Sequence, residues 1–160
     1  AVRDIFIFCC FTGLAFTDVQ KLKSEHIICD SKGEHWIRKQ REKTNNMCNI
    51  PLLDIPLALI EKYKDNPICQ MKSVIFPVPS NQRMNGYLKE IADLCGIKKM
   101  LSTHIARHSF ACLALANKVS MESIAKMLGH SDIRTTKIYA KILDSTISND
   151  MQVLRQKFAI

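Results

Sequence analysis

The sequence predicts a mostly helical α+β domain with a small three-stranded antiparallel sheet at one edge. Apolar residues recur at helical spacing through most of the chain. One segment, from His26 to Leu52, instead alternates short extended runs with polar, turn-like stretches. A chain of 160 residues is long enough to bury one sizeable core. We therefore expect a single domain over residues 1–143 and a tail helix over residues 144–160.

The amino-terminal third is predicted as two helices followed by the sheet. Residues 2–14 read as an apolar helix that Gly13 breaks, and a second helix starts at Thr17 and Asp18. The strands are HIIC, EHWIRKQ and MCNIPL, and the polar stretches DSKG and REKTNN form the turns between them. The second turn therefore carries Lys43.

The rest of the chain is predicted to be helical, with proline, glycine and capping residues marking the boundaries. PLALIEKYKDN is a helix that Pro67 ends, VIFPVPSNQ is a loop, and NGYLKEIADLCG is a helix ending at Gly96. Ser102 caps the next helix, HIARHSFACLALAN, and Ser120 caps the short helix MESIAKML. The dipeptide SD that follows LGH can cap a further helix, which contains Tyr139.

The net charge indicates the kind of partner that the protein binds, and the cysteines indicate the cellular compartment. The 23 Lys and Arg against 15 Asp and Glu give a net charge of +8, which favours a polyanion, with nucleic acid ahead of a membrane surface. The seven cysteines are odd in number and form no CxxC pair, which indicates reduced thiols in the cytoplasm, with neither a disulfide nor a metal site. The apolar run IFIFCCF is too short to span a bilayer.

Two histidines and an arginine lie close together in STHIARHSF. On a helix, His104 and Arg107 are three residues apart and share a face, where they can bind one anion together. A lone histidine on such a helix is more often structural than catalytic. Whether His104 has a function therefore has to be judged from the pattern of polar residues along the whole chain. That pattern is a lysine in a hairpin turn, H-x-x-R at a helix start, LGH past a helix end, and a tyrosine nine residues after that histidine.

The segments FTGLAFTD, KTNNMCNIPL, HIARHSFA and LGHSDIRTTKIYA, in this order, resemble the catalytic domain of the tyrosine recombinases, the phage integrase family, of the mobile-element type. The resemblance covers nearly the whole chain and implies site-specific recombination or integration of double-stranded DNA. A tyrosine attacks a phosphodiester, forms a 3′-phosphotyrosine and releases a 5′ hydroxyl that later reverses the step. It implies no cofactor and no metal ion, because the phosphotyrosine stores the bond energy and fixed cations stabilise the transition state.

The resemblance assigns a role to five side chains. Tyr139 is the nucleophile, Arg107 binds the phosphate through two parallel donors, and Lys43 is the general acid for the leaving 5′ oxygen. His104 assists proton movement at the tyrosine or donates to the phosphate, and His130 hydrogen-bonds a non-bridging oxygen.

Some neighbouring residues keep alternative interpretations. Lys39 and Arg41 are rivals of Lys43, because all three lie in or beside the same predicted turn. His108 has no role in the family pattern, and we expect it to be structural or to support the site.

One position departs from the family pattern. In FTGLAFTD this chain has Ala15 where family members usually carry arginine, so one of two phosphate-binding guanidiniums is missing; Asp18 matches the acidic position that often accompanies it. An active enzyme then needs a substitute cation. We rank Arg41 or Arg38 ahead of Arg3, which lies about 18 Å from Ala15 along a straight helix axis.

The resemblance also implies an assembly and a location. We expect a homotetramer on two paired DNA sites, with the tail from about Asp144 packing on a neighbour and, where required, a DNA-bending accessory protein. In isolation the chain is expected to be a monomer with weak DNA affinity. We expect the amino-terminal DNA-clamping domain typical of the family to be absent from these 160 residues, and the protein to be cytoplasmic, nucleoid-associated when bound to DNA.

Two other functions compete with this interpretation. A type IB topoisomerase shares the tyrosine chemistry but relaxes supercoils without exchanging strands between partners. ALANKVSMESIAKMLGHSDIRTTKIYA also resembles a helix-turn-helix, which allows a non-catalytic DNA-binding regulator.

Overall fold

The computed structural model describes residues 1–140 together with residues 151 and 155. Within them, helices dominate and a three-stranded antiparallel sheet lies along one edge, so the predicted α+β class is confirmed. The predicted tail helix over residues 144–160 lies outside the described residues, apart from those two positions.

Two helices, α1 (Val2–Thr12) and α2 (Phe16–Gln20), form the amino-terminal part of the domain. Gly13 ends α1 in the left-handed conformation, with φ of 69°, and its N–H donates to the Cys9 carbonyl at 2.9 Å. A methyl group at Gly13 would lie 2.5 Å from Phe110 Cδ1 and 2.7 Å from Leu128 Cδ2. Only glycine fits there, because helices from the carboxyl-terminal half pack directly against this backbone.

The sheet has the predicted meander order, β1 (Ile27–Cys29), β2 (His35–Gln40) and β3 (Met47–Pro51). Ile37 of β2 pairs with Ile27 on one side and with Ile50 on the other. Ile37 and Ile50 are buried against the helices, whereas alternate residues on β2 face outward.

The middle of the chain forms α3 (Asp54–Tyr63), α4 (Pro67–Lys72) and α5 (Asn81–Leu94). The prediction that one helix continues until Pro67 was wrong, because Pro67 begins α4. The Asn66 side chain accepts the N–H groups of Ile68 and Cys69, and a proline at the first helical position has no N–H to leave unpaired. The predicted loop is also shorter, since Ser80 caps α5 at Asn81.

The carboxyl-terminal helices are α6 (Thr103–Ala116), α7 (Met121–Leu128) and α8 (Arg134–Ala140). Their predicted caps are confirmed: Ser102 accepts the Ile105 N–H and Ser120 accepts the Ser123 N–H, both at 3.2 Å. The Asp132 carboxylate accepts the Arg134 N–H at 2.8 Å at the start of α8.

Two apolar clusters hold these elements together. The larger cluster surrounds α1, which packs against α3, α5 and α6, and its aromatic centre is Phe8 against Phe76 with ring centroids 4.6 Å apart. The smaller cluster joins α6, α7 and α8 and consists of Phe110, Ala111, Ile124, Leu128 and Tyr139. Among the residues that the structure describes, the helices are too short or too polar to cross a bilayer.

Candidate functional site

Arg107 lies where the amino-terminal and carboxyl-terminal parts of the chain meet. Its side chain points inward from α6, and the residue is 5% exposed. Nη1 donates to the Gly13 carbonyl at 2.5 Å, and Nη2 donates to the Leu128 carbonyl at 2.6 Å. These carbonyls stand at the carboxyl-terminal ends of α1 and α7, where backbone oxygens lack helical partners and carry partial negative charge. Two helix ends therefore hold one cation in place.

His130 contacts this arginine from the loop after α7. Its Nε2 lies 3.2 Å from Arg107 Nη2, and its Nδ1 lies 2.9 Å from Thr136 Oγ1. Because a guanidinium can only donate, Nε2 accepts, and the ring carries its proton on Nδ1. Burial, and then the charges of Arg107 and Arg41, lower the pKa of His130 to about 4. The imidazole is therefore neutral at pH 7 in this state and acts as an acceptor.

Tyr139 lies on α8 in the smaller apolar cluster and is 3% exposed. Burial raises the pKa of its phenol, and the positive charge of Arg107 lowers that pKa by a smaller amount. The phenol is protonated at neutral pH, so attack on a phosphate requires a group that takes its proton. The nearest titratable ring described is His108, whose centroid lies 5.2 Å from that of Tyr139 at an angle of 64°.

His104 and His108 form a pair on one face of α6. Their Nε2 atoms lie 2.7 Å apart, and the ring centroids lie 4.3 Å apart in an edge-to-face arrangement. The N–H of one ring therefore donates a hydrogen bond to the other ring. His104 is exposed, whereas the side chain of Arg107 is buried. His104, which was predicted to share a helix face with Arg107, contacts His108, and His108 in turn contacts Tyr139.

Lys43 lies on the turn between β2 and β3. It is exposed, and none of the ion pairs found among residues 1–140 includes it. Its rival Lys39 is 6% exposed and is bound to Glu42 at 2.8 Å, and Lys21 holds the other oxygen of Glu42 at 2.7 Å. Lys39 is thus engaged in a partly buried ion pair, whereas the ammonium of Lys43 is available to a ligand.

The segment that lacks the family arginine lies beside the same turn. Ala15 precedes α2, two residues after the carbonyl that Arg107 binds. Asp18 of α2 is 1% exposed, and its Oδ1 accepts the backbone N–H of Glu42 at 2.9 Å. Its Oδ2 lies 3.7 Å from Nε of Arg41. A single buried carboxylate therefore fixes the turn through a hydrogen bond, and a second guanidinium lies near that carboxylate without a hydrogen bond to it.

The structure brings Arg107, His130 and Tyr139 into one region, with the His104–His108 pair beside the tyrosine. Lys43 is exposed on the turn between β2 and β3. A fixed guanidinium binds a tetrahedral oxyanion through two oxygens. A phenol with an adjacent imidazole can act as a nucleophile. Sequence reasoning gave His108 no function, although its spacing of four residues from His104 was a signal that the two rings would meet.

Comparison with known proteins identifies the family of this chain. Residues 2–146 match the phage integrase family. The chain is similar to the tyrosine recombinase XerD of Listeria innocua serovar 6a, with 46% identity over 143 residues that cover 82% of this chain and 46% of that protein. It is also similar to XerD of Rhizobium meliloti, with 39% identity over 66 residues that cover 41% of this chain and 21% of that protein. The chain spans less than half the length of these two curated relatives.

Solved structures show the same fold. The XerH site-specific recombinase, in a post-cleavage complex with a palindromic difH substrate, superposes with a TM-score of 0.73 at 17% identity, over 96% of this chain and 46% of that one. The catalytic domain of bacteriophage HP1 integrase gives a TM-score of 0.62 at 19% identity, over 97% and 84% of the two chains. The predicted catalytic-domain fold is confirmed.

Proposed function

This chain belongs to the phage integrase family, and on that premise we propose that it acts in site-specific recombination or integration of DNA. The observation that carries the proposal is the buried contact between Arg107 and His130 beside Tyr139. A nucleophile, a fixed cation and an imidazole are the groups that phosphoryl transfer to a protein side chain requires. The net charge of +8 favours binding to the DNA backbone.

In the proposed reaction the scissile phosphate first occupies the space next to Arg107. One phosphate oxygen takes the place of His130 Nε2 as an acceptor for Nη2. The negative charge of the phosphate favours the protonated imidazole, so His130 takes up a proton from solvent, and its Nε2–H donates a hydrogen bond to a non-bridging oxygen. Binding of the phosphate therefore changes His130 from an acceptor into a donor.

The chemical step exchanges one phosphate ester for another. A bond forms between Tyr139 Oη and phosphorus, and the bond from phosphorus to the 5′ oxygen breaks. The phenolic proton passes to the pair His104 and His108, and Lys43 gives a proton to the leaving 5′ oxygen. The energy of the broken bond remains in the 3′-phosphotyrosine, so the reverse step on a new strand needs no nucleotide. We propose that cationic side chains alone stabilise the transition state and that no metal ion takes part.

Covalent trapping tests this function without knowledge of the target site. The protein is incubated with duplexes that carry a nick and randomised flanking sequence, so that the short 5′ fragment is lost after cleavage and the adduct accumulates. We expect a 3′-linked adduct that forms in the presence of a strong chelator. Sequencing the trapped DNA identifies the site.

Three tyrosine variants test which residue forms the adduct. Tyr139→Phe should bind DNA and form no adduct, since it lacks only the hydroxyl. Tyr87→Phe is the matched control, because Tyr87 is 48% exposed on α5. If the adduct persists in Tyr139→Phe and is lost in Tyr63→Phe or Tyr87→Phe, the nucleophile is misassigned. Binding without any adduct would support the helix-turn-helix regulator, and relaxation without strand exchange would support a topoisomerase; the family match favours neither.

We further propose that the working form is a tetramer in which the tail beyond residue 143 packs on a neighbouring copy. An apolar groove of about 550 Å³ lies between the sheet and α6–α7 and includes Trp36, Leu53, Phe110, Leu113 and Met127. The tail carries four apolar residues at near-helical spacing, Ile147, Met151, Leu154 and Phe158. We propose the groove as the surface that receives this stripe.

Assembly on DNA tests this arrangement. Leu113→Glu, at a groove residue that is 47% exposed, should reduce tetramer formation on paired sites while single-site cleavage continues. Removal of the tail from Asp144 should have the same effect. A truncated protein that does not fold would show that the tail packs on its own chain instead. We propose that this activity takes place in the cytoplasm, at the nucleoid when DNA is bound, and the free thiols support this location.

A further inference from the structure

Ala15 leaves the proposed phosphate site with one guanidinium where the family pattern has two, and the structure contains a second buried guanidinium nearby. We propose that Arg41, from the turn after β2, is a further catalytic residue that binds the scissile phosphate together with Arg107 and His130. This inference rests on the proposed function and adds a residue that the motif pattern does not include. Packing, an unpaired donor and charge each support it.

The packing places the Arg41 side chain against the residue that precedes His130. A methyl group at Gly129 would lie 2.7 Å from Arg41 Cδ and 2.8 Å from Cys48 Sγ, so the side chain crosses directly over this glycine. Asn46 Nδ2 donates to the Gly129 carbonyl at 3.1 Å, so the turn between β2 and β3 is hydrogen-bonded to the same glycine. The absence of a Cβ at position 129 therefore allows Arg41 to lie next to His130.

The guanidinium of Arg41 has an unused donor. The side chain is 12% exposed, and its Nε is a buried donor without a hydrogen-bond partner among the residues that the structure describes. The nearby Asp18 Oδ2, at 3.7 Å, is too distant for a hydrogen bond. A buried N–H without an acceptor is unfavourable, so this donor would gain from a bound anion.

Charge supports the same conclusion. Arg41 crosses over Gly129 next to His130, and His130 contacts Arg107 at 3.2 Å, so three nitrogen-rich side chains lie close together. Burial first, and then the neighbouring positive charges, including that of Arg41, lower the pKa of Arg107 and of His130. Two like charges held close together repel each other, and an anion between them removes the repulsion. Within the described part of the chain, only the Asp18 carboxylate, 3.7 Å from Arg41 Nε, offsets these two guanidiniums, so one more negatively charged group would be favoured here.

The other two candidate arginines are exposed side chains. Arg38 is exposed on β2, and its charge acts on Asp30 in the turn between β1 and β2. Arg3 is bound to Asp4 at 2.9 Å, and its side chain is 71% exposed. Of the three arginines that sequence reasoning named, Arg41 alone has its charge directed toward Arg107 and His130.

Binding of inorganic sulfate tests the anion site independently of DNA cleavage. Sulfate is titrated at constant ionic strength into protein with ¹⁵N-labelled arginine, and the Nε–H resonances of Arg41 and Arg107 are followed. We expect both to shift together and saturably, and Arg41→Gln, which retains much of the stem over Gly129, to weaken binding ~10-fold or more. Arg38→Gln is the matched control and should change the affinity less than about twofold. Equal effects of the two variants, or no effect of Arg41→Gln, would overturn the proposal.

Rescue from position 15 distinguishes catalysis from simple charge loss. In the trapping experiment, Arg41→Gln should slow adduct formation on the order of 100- to 1000-fold. Adding Ala15→Arg should recover most of that loss, whereas adding it to Arg107→Lys should not. Thermal unfolding of each variant checks that it is folded, and Arg41→Lys replaces Arg41→Gln if the latter is not. An adduct that forms at the normal rate in Arg41→Gln would refute the catalytic role. If the unsubstituted protein forms no adduct but its sulfate affinity still depends on Arg41, the proposed function fails and the anion site stands.

Discussion

Arg107 and Lys43 are both cations that we assign to one reaction, but Arg107 is buried and fixed whereas Lys43 is exposed. Arg107 is 5% exposed and is fixed by the carbonyls of Gly13 and Leu128. Lys43 is exposed on a turn, and the neighbouring lysines, not Lys43 itself, pair with Glu42.

The difference follows from what each group is proposed to do. A group that stabilises charge works best when it is fixed before the substrate arrives, because no reorganisation is then needed. A group that delivers a proton to a leaving oxygen has to reach that oxygen and lose its own charge, which a side chain in buried ion pairs cannot do readily. Four variants test this contrast, in order of their expected effect on the free energy of unfolding.

Arg107→Ala should have the largest effect. It leaves the carbonyls of Gly13 and Leu128 buried without donors, which costs about 4 kcal/mol of unfolding free energy in total. Urea denaturation followed by circular dichroism measures the loss, with Arg83→Ala on the exposed face of α5 as the control. An unchanged midpoint would mean that water satisfies both carbonyls, and the contrast with Lys43 would then be lost.

Gly129→Ala should come next, at about 3 kcal/mol. The residue has φ of 61°, and the added methyl group meets Arg41 Cδ and Cys48 Sγ. Gly33→Ala is a matched control, because its φ is 82° but its methyl group meets nothing within 4 Å. The two variants share the backbone strain, so the difference between their urea midpoints isolates the collision. Equal losses would show that Arg41 moves aside freely.

Asp4→Asn should remove about 2 kcal/mol and change the pH dependence of stability. Burial opposes ionisation of Asp4, but hydrogen bonds from Lys62, Arg3 and Tyr63 outweigh it and lower the pKa to about 2. The folded-state pKa lies below the unfolded value of 3.8, so the contribution is complete above pH 3.8 and is lost as the pH falls toward 2. Unfolding free energies from pH 2 to 6 should therefore fall more steeply for the unsubstituted protein. Parallel curves would contradict the assignment.

Lys43→Ala should have the smallest effect on stability, within about 0.5 kcal/mol, and a large effect on cleavage, ~100-fold or more. A substrate with sulfur in place of the 5′ bridging oxygen leaves without protonation and should restore the rate. Lys39→Ala should show the reverse, with lower stability because Glu42 loses a partner and no rescue by the sulfur substrate. Rescue of Lys39→Ala alone would transfer the role of general acid to Lys39.

Helix boundaries could be predicted wherever a local signal decides them. Ser102, Ser120 and Gly13 act on N–H groups or carbonyls within four residues, so the sequence around them is sufficient. Pro67 shows the limit, because the same proline can end one helix or begin the next. The capping oxygen of Asn66 selects the second outcome.

The candidate site was less predictable, since its partners come from distant parts of the chain. The spacing of H-x-x-R predicted that His104 and Arg107 share a face, but the acceptors that draw Arg107 inward are 94 and 21 residues away. No local pattern carries that information. The same holds for Arg41, whose position depends on the missing Cβ of Gly129.

The two carbonyls that fix Arg107 also set the order in which the site can form during synthesis. One belongs to the junction of the first two helices, and the other leaves the ribosome only after residue 128 has been added. Contacts of such long sequence separation form late in folding. Closing the intervening loop costs conformational entropy before the contact itself stabilises the chain. A nascent chain that stops before α7 lacks the Leu128 carbonyl and cannot hold Arg107 in place. Under the proposed function, such a chain would be unable to cleave a DNA strand until α7 has been added.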